Sequence, residues 1–139
     1  MPSFDKIQVG EKLPTYTITI DWNMYRQYNK MINEINPLHF DEKYAQKIGF
    51  KTIVVAGVFT YSFFLRPLLN WTKDPNSIKK IKIRYHKPVY INETITQGGS
   101  IIKKYRKDGL NYVECELWAE NSTKERITTG SAILILKNM

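Results

Sequence analysis

Glu34 and His39 stand five residues apart in the stretch Glu34-Ile35-Asn36-Pro37-Leu38-His39-Phe40-Asp41. A carboxylate and an imidazole are the usual material of general acid–base catalysis. Their ordinary pKa values, about 4.3 and about 6.5, allow one to be charged while the other is neutral. The Asn36-Pro37 pair between them stiffens the chain, because proline fixes its own φ and keeps the preceding residue out of the helical region. Stiffness matters at a reacting centre, where a misplacement on the order of 1 Å can cost about a hundredfold in rate. Further along, Gly57 leads into a long apolar run. A glycine opening a helix offers unpaired backbone N–H groups at the positive end of the helix dipole, which suits a developing oxyanion. Taken singly, each residue has a plainer use: a glutamate near a helix end is ordinarily solvated, and a turn histidine ordinarily caps or packs. Their joint spacing is what suggests a site.

The elements that must position these groups follow from the pattern around them. Leu13 to Ile20 alternates and is rich in Thr, Ile and Tyr, so a strand is expected there. Asp21 can cap a helix running to about Asn33, with Met24, Tyr25, Tyr28, Met31 and Ile32 at helical spacing on one face. That helix must stop before Pro37. Asp41 caps a second short helix over Glu42 to Ile48, closed by Gly49. His39 is thereby placed in a rigid turn between two helices. From Ile53 to Leu69 nearly every position is apolar, the pattern of a helix buried on all sides; its start is expected near Gly57, with Pro67 bending or ending it. Asp74-Pro75-Asn76-Ser77 is a turn, and the remainder reads as strands. These cover Ile78–Tyr85, Thr94–Arg106, Leu110–Asn121 and Ile127–Leu136, with a hairpin at Lys107-Asp108-Gly109.

The chain of 139 residues fits one domain, residues 1–139, and its 42% hydrophobic and 13% aromatic content supports a true core and argues against disorder. The net charge of +8 favours anionic partners. The basic clusters Lys79-Lys80-Lys82-Arg84 and Lys103-Lys104-Arg106-Lys107 fall inside strand-like patterns, however, and read as solvated outward faces. No base-stacking or phosphate-loop motif accompanies the charge, so nucleic acid is not an expected partner. The single cysteine excludes an intramolecular disulfide and a Cys-rich metal site. In Val113-Glu114-Cys115-Glu116-Leu117 it lies on the apolar side of an alternation, as a core thiol would. Met1 to Lys6 lacks the apolar core of a signal peptide, and no apolar run reaches membrane-spanning length. A cytoplasmic protein without a membrane partner is expected.

Strand, helices, one apolar helix and an antiparallel meander make an α+β layout, and a sheet wrapped around one central helix is the hotdog arrangement. The motif residues narrow this further. Asn36-Pro37-Leu38-His39-Phe40-Asp41, followed by Ala45, Gly49-Phe50 and Ala56-Gly57, resembles the MaoC-like dehydratase family, which includes the (R)-specific enoyl-CoA hydratases. The resemblance extends through Tyr85 and Pro88-Val89 to Glu93-Thr94 and so covers most of the chain. It implies hydration or dehydration of acyl thioesters, with Glu34 and His39 sharing the proton transfers and the Gly57 N–H contacting the thioester carbonyl. Asn36 would support the turn and orient the reacting groups, and Ser62 would be a polar group in the following helix. No cofactor is implied beyond the coenzyme A or acyl carrier protein that forms part of the substrate. A dimer is implied, either a homodimer or a heterodimer with a second hotdog chain.

Two departures from the family pattern bear on activity. Glu34 occupies a position where Asp is usual, and its extra methylene shifts the carboxylate by about 1.5 Å. Ala56 precedes Gly57 where His is frequent. The first departure keeps open a non-catalytic, acyl-thioester-binding subunit of a hetero-oligomer; the hotdog scaffold also hosts thioesterases, which keeps open an acyl-CoA thioesterase in which Glu34 activates water against the carbonyl.

Overall fold

The computed structural model describes residues 2–137. The first strand, β1 (Tyr16–Thr19), is shorter than the alternation suggests. Pro14 has no N–H to give to a ladder. The preceding segment lies along residues 99–101 as a separate bridge, through Gly10 N–H to the Ile101 carbonyl, Ile101 N–H to the Glu11 carbonyl and Leu13 N–H to the Gly99 carbonyl. Helix α1 (Trp22–Ile32) begins where Asp21 accepts from the Met24 N–H at 2.8 Å, and it ends on Asn33 in the left-handed region, φ 55°. A short 3-10 turn, Pro37–His39, follows, and α2 (Glu42–Lys47) is capped by Asp41.

The long apolar run does not form one helix. Residues 53–55 are extended along residues 89–91, with Val55 N–H on the Val89 carbonyl and Ile91 N–H on the Ile53 carbonyl. Helix α3 (Gly57–Phe64) then starts at the glycine, the chain breaks at Leu65, and α4 (Arg66–Thr72) continues. Pro67 lies in the first turn of α4, where a missing N–H goes unnoticed, so it sets a new helix direction after the break. The expectation of burial on all sides is also corrected. Phe59 and Phe64 are buried, but Val58 is 74% exposed and Ser62 faces outward. One side of the α3 helix, carrying Val58 and Ser62, is thus open.

Strands β2 (Ile78–Tyr85), β3 (Thr94–Lys107), β4 (Leu110–Glu120) and β5 (Arg126–Leu136) complete one antiparallel sheet in the order β1-β3-β4-β5-β2. The β3–β4 hairpin turns on Asp108 and Gly109, both at positive φ, as a two-residue turn matched to strand twist requires. Helices α3 and α4 pack on the inner face of the sheet, and the hotdog expectation holds. Gly130 permits that packing: a Cβ there would meet the Phe64 ring at 3.0 Å and the Lys82 carbonyl at 2.4 Å. Lys79, Lys80, Lys82 and Arg84 point outward from β2 as read from the pattern. Cys115 is fully buried, and burial pushes its thiol pKa up to about 12, which removes it as a nucleophile at neutral pH.

Candidate active site

The turn that carries His39 is held from three directions. Asn36 accepts from the Leu38 N–H through its side chain and from the His39 N–H through its carbonyl, so the motif asparagine builds the turn from within. The side-chain amide of Asn29, four residues after Tyr25 on α1, donates to the His39 carbonyl at 2.9 Å. The imidazole itself is fixed by the backbone: His39 Nδ1 lies 2.8 Å from the carbonyl oxygen of Val54. A carbonyl can only accept, so Nδ1 carries the hydrogen. In the neutral ring Nε2 is then the one remaining acceptor, the form a general base needs.

The start of α3 is fixed with equal care. The Ala56 carbonyl accepts from the Phe59 and Thr60 N–H groups at 3.0 and 3.2 Å. The Ala56–Gly57 peptide is planar and trans, so these bonds turn the Gly57 N–H away from the helix. That N–H has no hydrogen-bond partner among the described residues. On the other side of the same residue the Ala56 N–H donates to the Tyr25 hydroxyl oxygen at 2.8 Å. Tyr25 is fully buried, and burial raises its pKa, so the phenol stays neutral and serves as a tether. The Gly57 carbonyl accepts from Tyr85 Oη at 2.8 Å and Thr60 Oγ1 at 2.9 Å. A side chain on Gly57 would press on that tyrosine, since its Cβ would lie 3.1 Å from Tyr85 Cζ.

His39 and Gly57 line one open pocket of about 340 Å³, together with Val54, Val55, Thr60, Tyr85, His86, Lys87, Pro88 and Val89. The residue with the free acceptor nitrogen and the residue with the unpaired backbone N–H therefore line one pocket. The other three residues singled out from sequence are placed elsewhere. Glu34 is half-buried, and its carboxylate is turned onto the N–H of Asn36 at 2.9 Å, a local bond that the longer glutamate side chain can close. It does not line the pocket; neither does Asn36, whose place is inside the turn. Ser62 donates to the Phe59 carbonyl at 2.7 Å on the exposed side of α3 and is not brought to the pocket.

His86, just after β2, is not among the residues that the sequence singled out. It is exposed, yet it stands on the rim of this pocket, with Nε2 2.6 Å from Thr129 Oγ1. Tyr25 and Asn29 also went unrecognised as site supports, although their four-residue spacing puts them on one helix face. Lys87 at the rim is paired with Glu125, and that partner pulls the Glu125 carboxyl down to about 2.

The family model described as "MaoC like domain" matches residues 5–119, and the chain belongs to this family of hydratases and dehydratases. A curated relative, "Probable enoyl-CoA hydratase 2" of Dictyostelium discoideum, is 38% identical over 64 residues, covering 45% of this chain and 22% of that protein. A tomato (Solanum lycopersicum) protein, "3-hydroxyacyl-[acyl-carrier-protein] dehydratase FERN, mitochondrial", is 31% identical over 98 residues, covering 70% of this chain and 54% of that one. The matched region is between 9% and 54% of the length of the curated relatives. The fold is that of the (R)-hydratase from A. caviae involved in PHA biosynthesis, with TM-score 0.81 at 18% identity, covering 95% of this chain and 98% of that one. It is also that of a chain in the ChsH1-ChsH2 complex from Mycobacterium tuberculosis, with TM-score 0.77 at 22% identity, covering 94% and 98%. No helix among the described residues is long and apolar enough to cross a membrane.

Proposed function

We propose that this protein adds water reversibly to a 2-enoyl thioester, giving the 3-hydroxyacyl thioester. The reading rests on one observation above the others. The Val54 carbonyl fixes the hydrogen of His39 on Nδ1, and the pocket lined by His39 is also lined by Gly57. In the hydration direction His39 Nε2 takes a proton from water as the water oxygen bonds to the β-carbon. The electron pair of the double bond moves toward the thioester carbonyl, whose oxygen is held by the Gly57 N–H. Glu34 gives a proton to the α-carbon, and proton exchange between the two side chains restores the starting state. To do so the glutamate must leave the Asn36 N–H and swing into the mouth of the pocket. The phosphates of coenzyme A, or of the arm of an acyl carrier protein, would be drawn by the exposed Lys79, Lys80, Lys82 and Arg84 on β2, the strand that runs to the pocket at Tyr85.

A second reading is favoured by the same glutamate. With its carboxylate occupied locally, the chain would bind an acyl thioester without turning it over, as one subunit of a hetero-oligomer. The open side of α3 around Val58 would then meet a partner, a second copy in the first reading and a different hotdog chain in this one. Loss of the enoyl absorbance of crotonyl-CoA, followed for the native protein and for Glu34→Asp, separates the two. Turnover by the native protein supports hydration with glutamate in place. Turnover by Glu34→Asp alone supports the binding subunit. Inactivity of both proteins, together with no binding of crotonyl-CoA, overturns the proposal.

A further inference from the structure

The His39 turn and the start of α3 are joined behind the pocket by two routes. On one side, His39 Nδ1 meets the Val54 carbonyl at 2.8 Å, and the chain reaches the Ala56 N–H two residues later. On the other side, the His39 carbonyl accepts from the Asn29 side-chain amide at 2.9 Å, and the Ala56 N–H donates to the Tyr25 hydroxyl oxygen at 2.8 Å. Tyr25 and Asn29 are four residues apart in α1, so they stack on one helix face. Burial raises the Tyr25 pKa, and hydrogen bonds from the Ala56 N–H and the Asn29 side chain oppose that rise, as donors to a phenol oxygen do. The amide nitrogen of Asn29 has two hydrogens, one for the His39 carbonyl and one for Tyr25. The two routes therefore close into a ring that runs through His39, Val54, Ala56, Tyr25 and Asn29.

Asn29 is an unfavourable residue for its place in the fold. It is 8% exposed, its Oδ1 has no hydrogen-bond partner among the described residues, and asparagine is a weak helix former. A leucine would suit the helix and the core better, so packing does not explain the asparagine, whereas its two amide hydrogens do. The same stretch of α1 is seated firmly on α3. The Tyr25 ring lies against Phe59 with centroids 5.2 Å apart, and Tyr28 meets that ring at 4.7 Å. A helix fixed in this way can set the distance between the His39 turn and the residue that opens α3.

We propose that Asn29 is a positioning residue: by bonding His39 and Tyr25 at once, it closes the ring and holds the imidazole and the Gly57 peptide in one fixed relation. This rests on the hydratase reading for the roles of those two groups, and Asn29 itself touches no reacting atom. Loss of Asn29 and loss of the Tyr25 hydroxyl then open the same ring. Two independent braces would each add a separate defect, but one ring is opened only once.

The test is a cycle of Asn29→Leu, Tyr25→Phe and the double variant in the full chain, with Asn29→Ala replacing the leucine variant if that one does not fold. Each protein is assayed with crotonyl-CoA, and the nitrogen-15 signals of the His39 ring and the Gly57 amide are recorded without substrate. Asn29→Leu should lower kcat by about tenfold or more and leave KM within about twofold, since a misplacement on the order of 1 Å costs about a hundredfold. Its denaturant midpoint should stay near the native one, because the unpaired Oδ1 is lost together with the bond. The double variant should be no slower than the slower single variant. In the spectra each change should reach across the ring: Asn29→Leu should move the Gly57 amide, and Tyr25→Phe should move the His39 ring. Unchanged kcat in Asn29→Leu, fully additive losses, or signals that move only beside the altered residue overturn the inference and leave the hydratase reading intact. If the native protein shows no turnover, hydration is overturned instead; shifts across the ring then still support the coupling through Asn29, and their absence overturns it.

Discussion

The two histidines of this chain line one pocket under different constraints. His39 sits half-buried in a turn held by Asn36 and Asn29, and its ring is bound to a backbone carbonyl that can only accept. His86 sits exposed at the end of β2, and its Nε2 meets the Thr129 hydroxyl, which can give or take a hydrogen. The first ring has a defined tautomer and orientation, whereas the second has a partner that follows whichever form it adopts. Proximity to a pocket is therefore a weaker criterion for an acid–base role than the nature of the group behind the ring. The comparison also separates what each residue gives up: His39 is committed through Nδ1 and keeps Nε2 for chemistry, but His86 already uses its Nε2.

The largest expected effect comes from removing the constrained ring. His39→Ala should lower kcat for crotonyl-CoA hydration by about 10² to 10⁴-fold, the usual contribution of a general acid–base group, without loss of the cooperative unfolding transition. His86→Ala, measured beside it, should leave turnover within about twofold; a comparable fall in both would erase the distinction. Next comes the tether behind α3. Tyr25→Phe leaves the Ala56 N–H without its acceptor, and a buried unpaired N–H costs about 1–3 kcal/mol, to be read from the midpoint of denaturant unfolding. The same variant should lower kcat more than it raises KM, because in the proposed mechanism the displaced Ala56–Gly57 peptide would carry the oxyanion donor. The smallest effect is expected at Thr129→Val, which removes the partner of His86 at the surface. Stability should change by no more than about 0.5 kcal/mol, and turnover should be unaffected. A nitrogen-15 spectrum of the imidazoles would sharpen the contrast directly, with neutral His39 showing hydrogen on Nδ1.

Much of the scaffold was legible because its causes are local. Asp21, Asp41 and Asn36 cap or brace within three residues of themselves, and the Asp108-Gly109 turn is specified by its own backbone preferences. The strands after residue 78 follow from alternation over many positions. In the apolar run the helix start at Gly57 was legible, but the conformation of the residues before it was less so, because hydrophobicity alone does not specify an extended buried segment or its partner. Residues 53–55 joined residues 89–91 for lack of any local signal against it. The exposed Val58 shows the same limit from the other side, since a uniformly apolar pattern says that a face wants cover without saying what covers it.

The sequence by itself determined the rigid turn, the placement of His39 within it, the helix start at Gly57 and the succession of strands along the chain after residue 78, all of which depend on neighbours a few residues away. It suggested a meander, whereas the sheet sets β2 beside β5 and β1 beside β3. Tertiary structure alone decided which groups stand behind them. The Val54 carbonyl reaches His39 across fifteen residues, Tyr85 reaches the Gly57 carbonyl across twenty-eight, and Tyr25 reaches the Ala56 N–H across thirty-one. It likewise decided that Gln97 and Thr128 share one row beneath α3. Such pairings are set by strand register and by where helices settle on a sheet, and those are properties of the whole packed chain that no local propensity encodes.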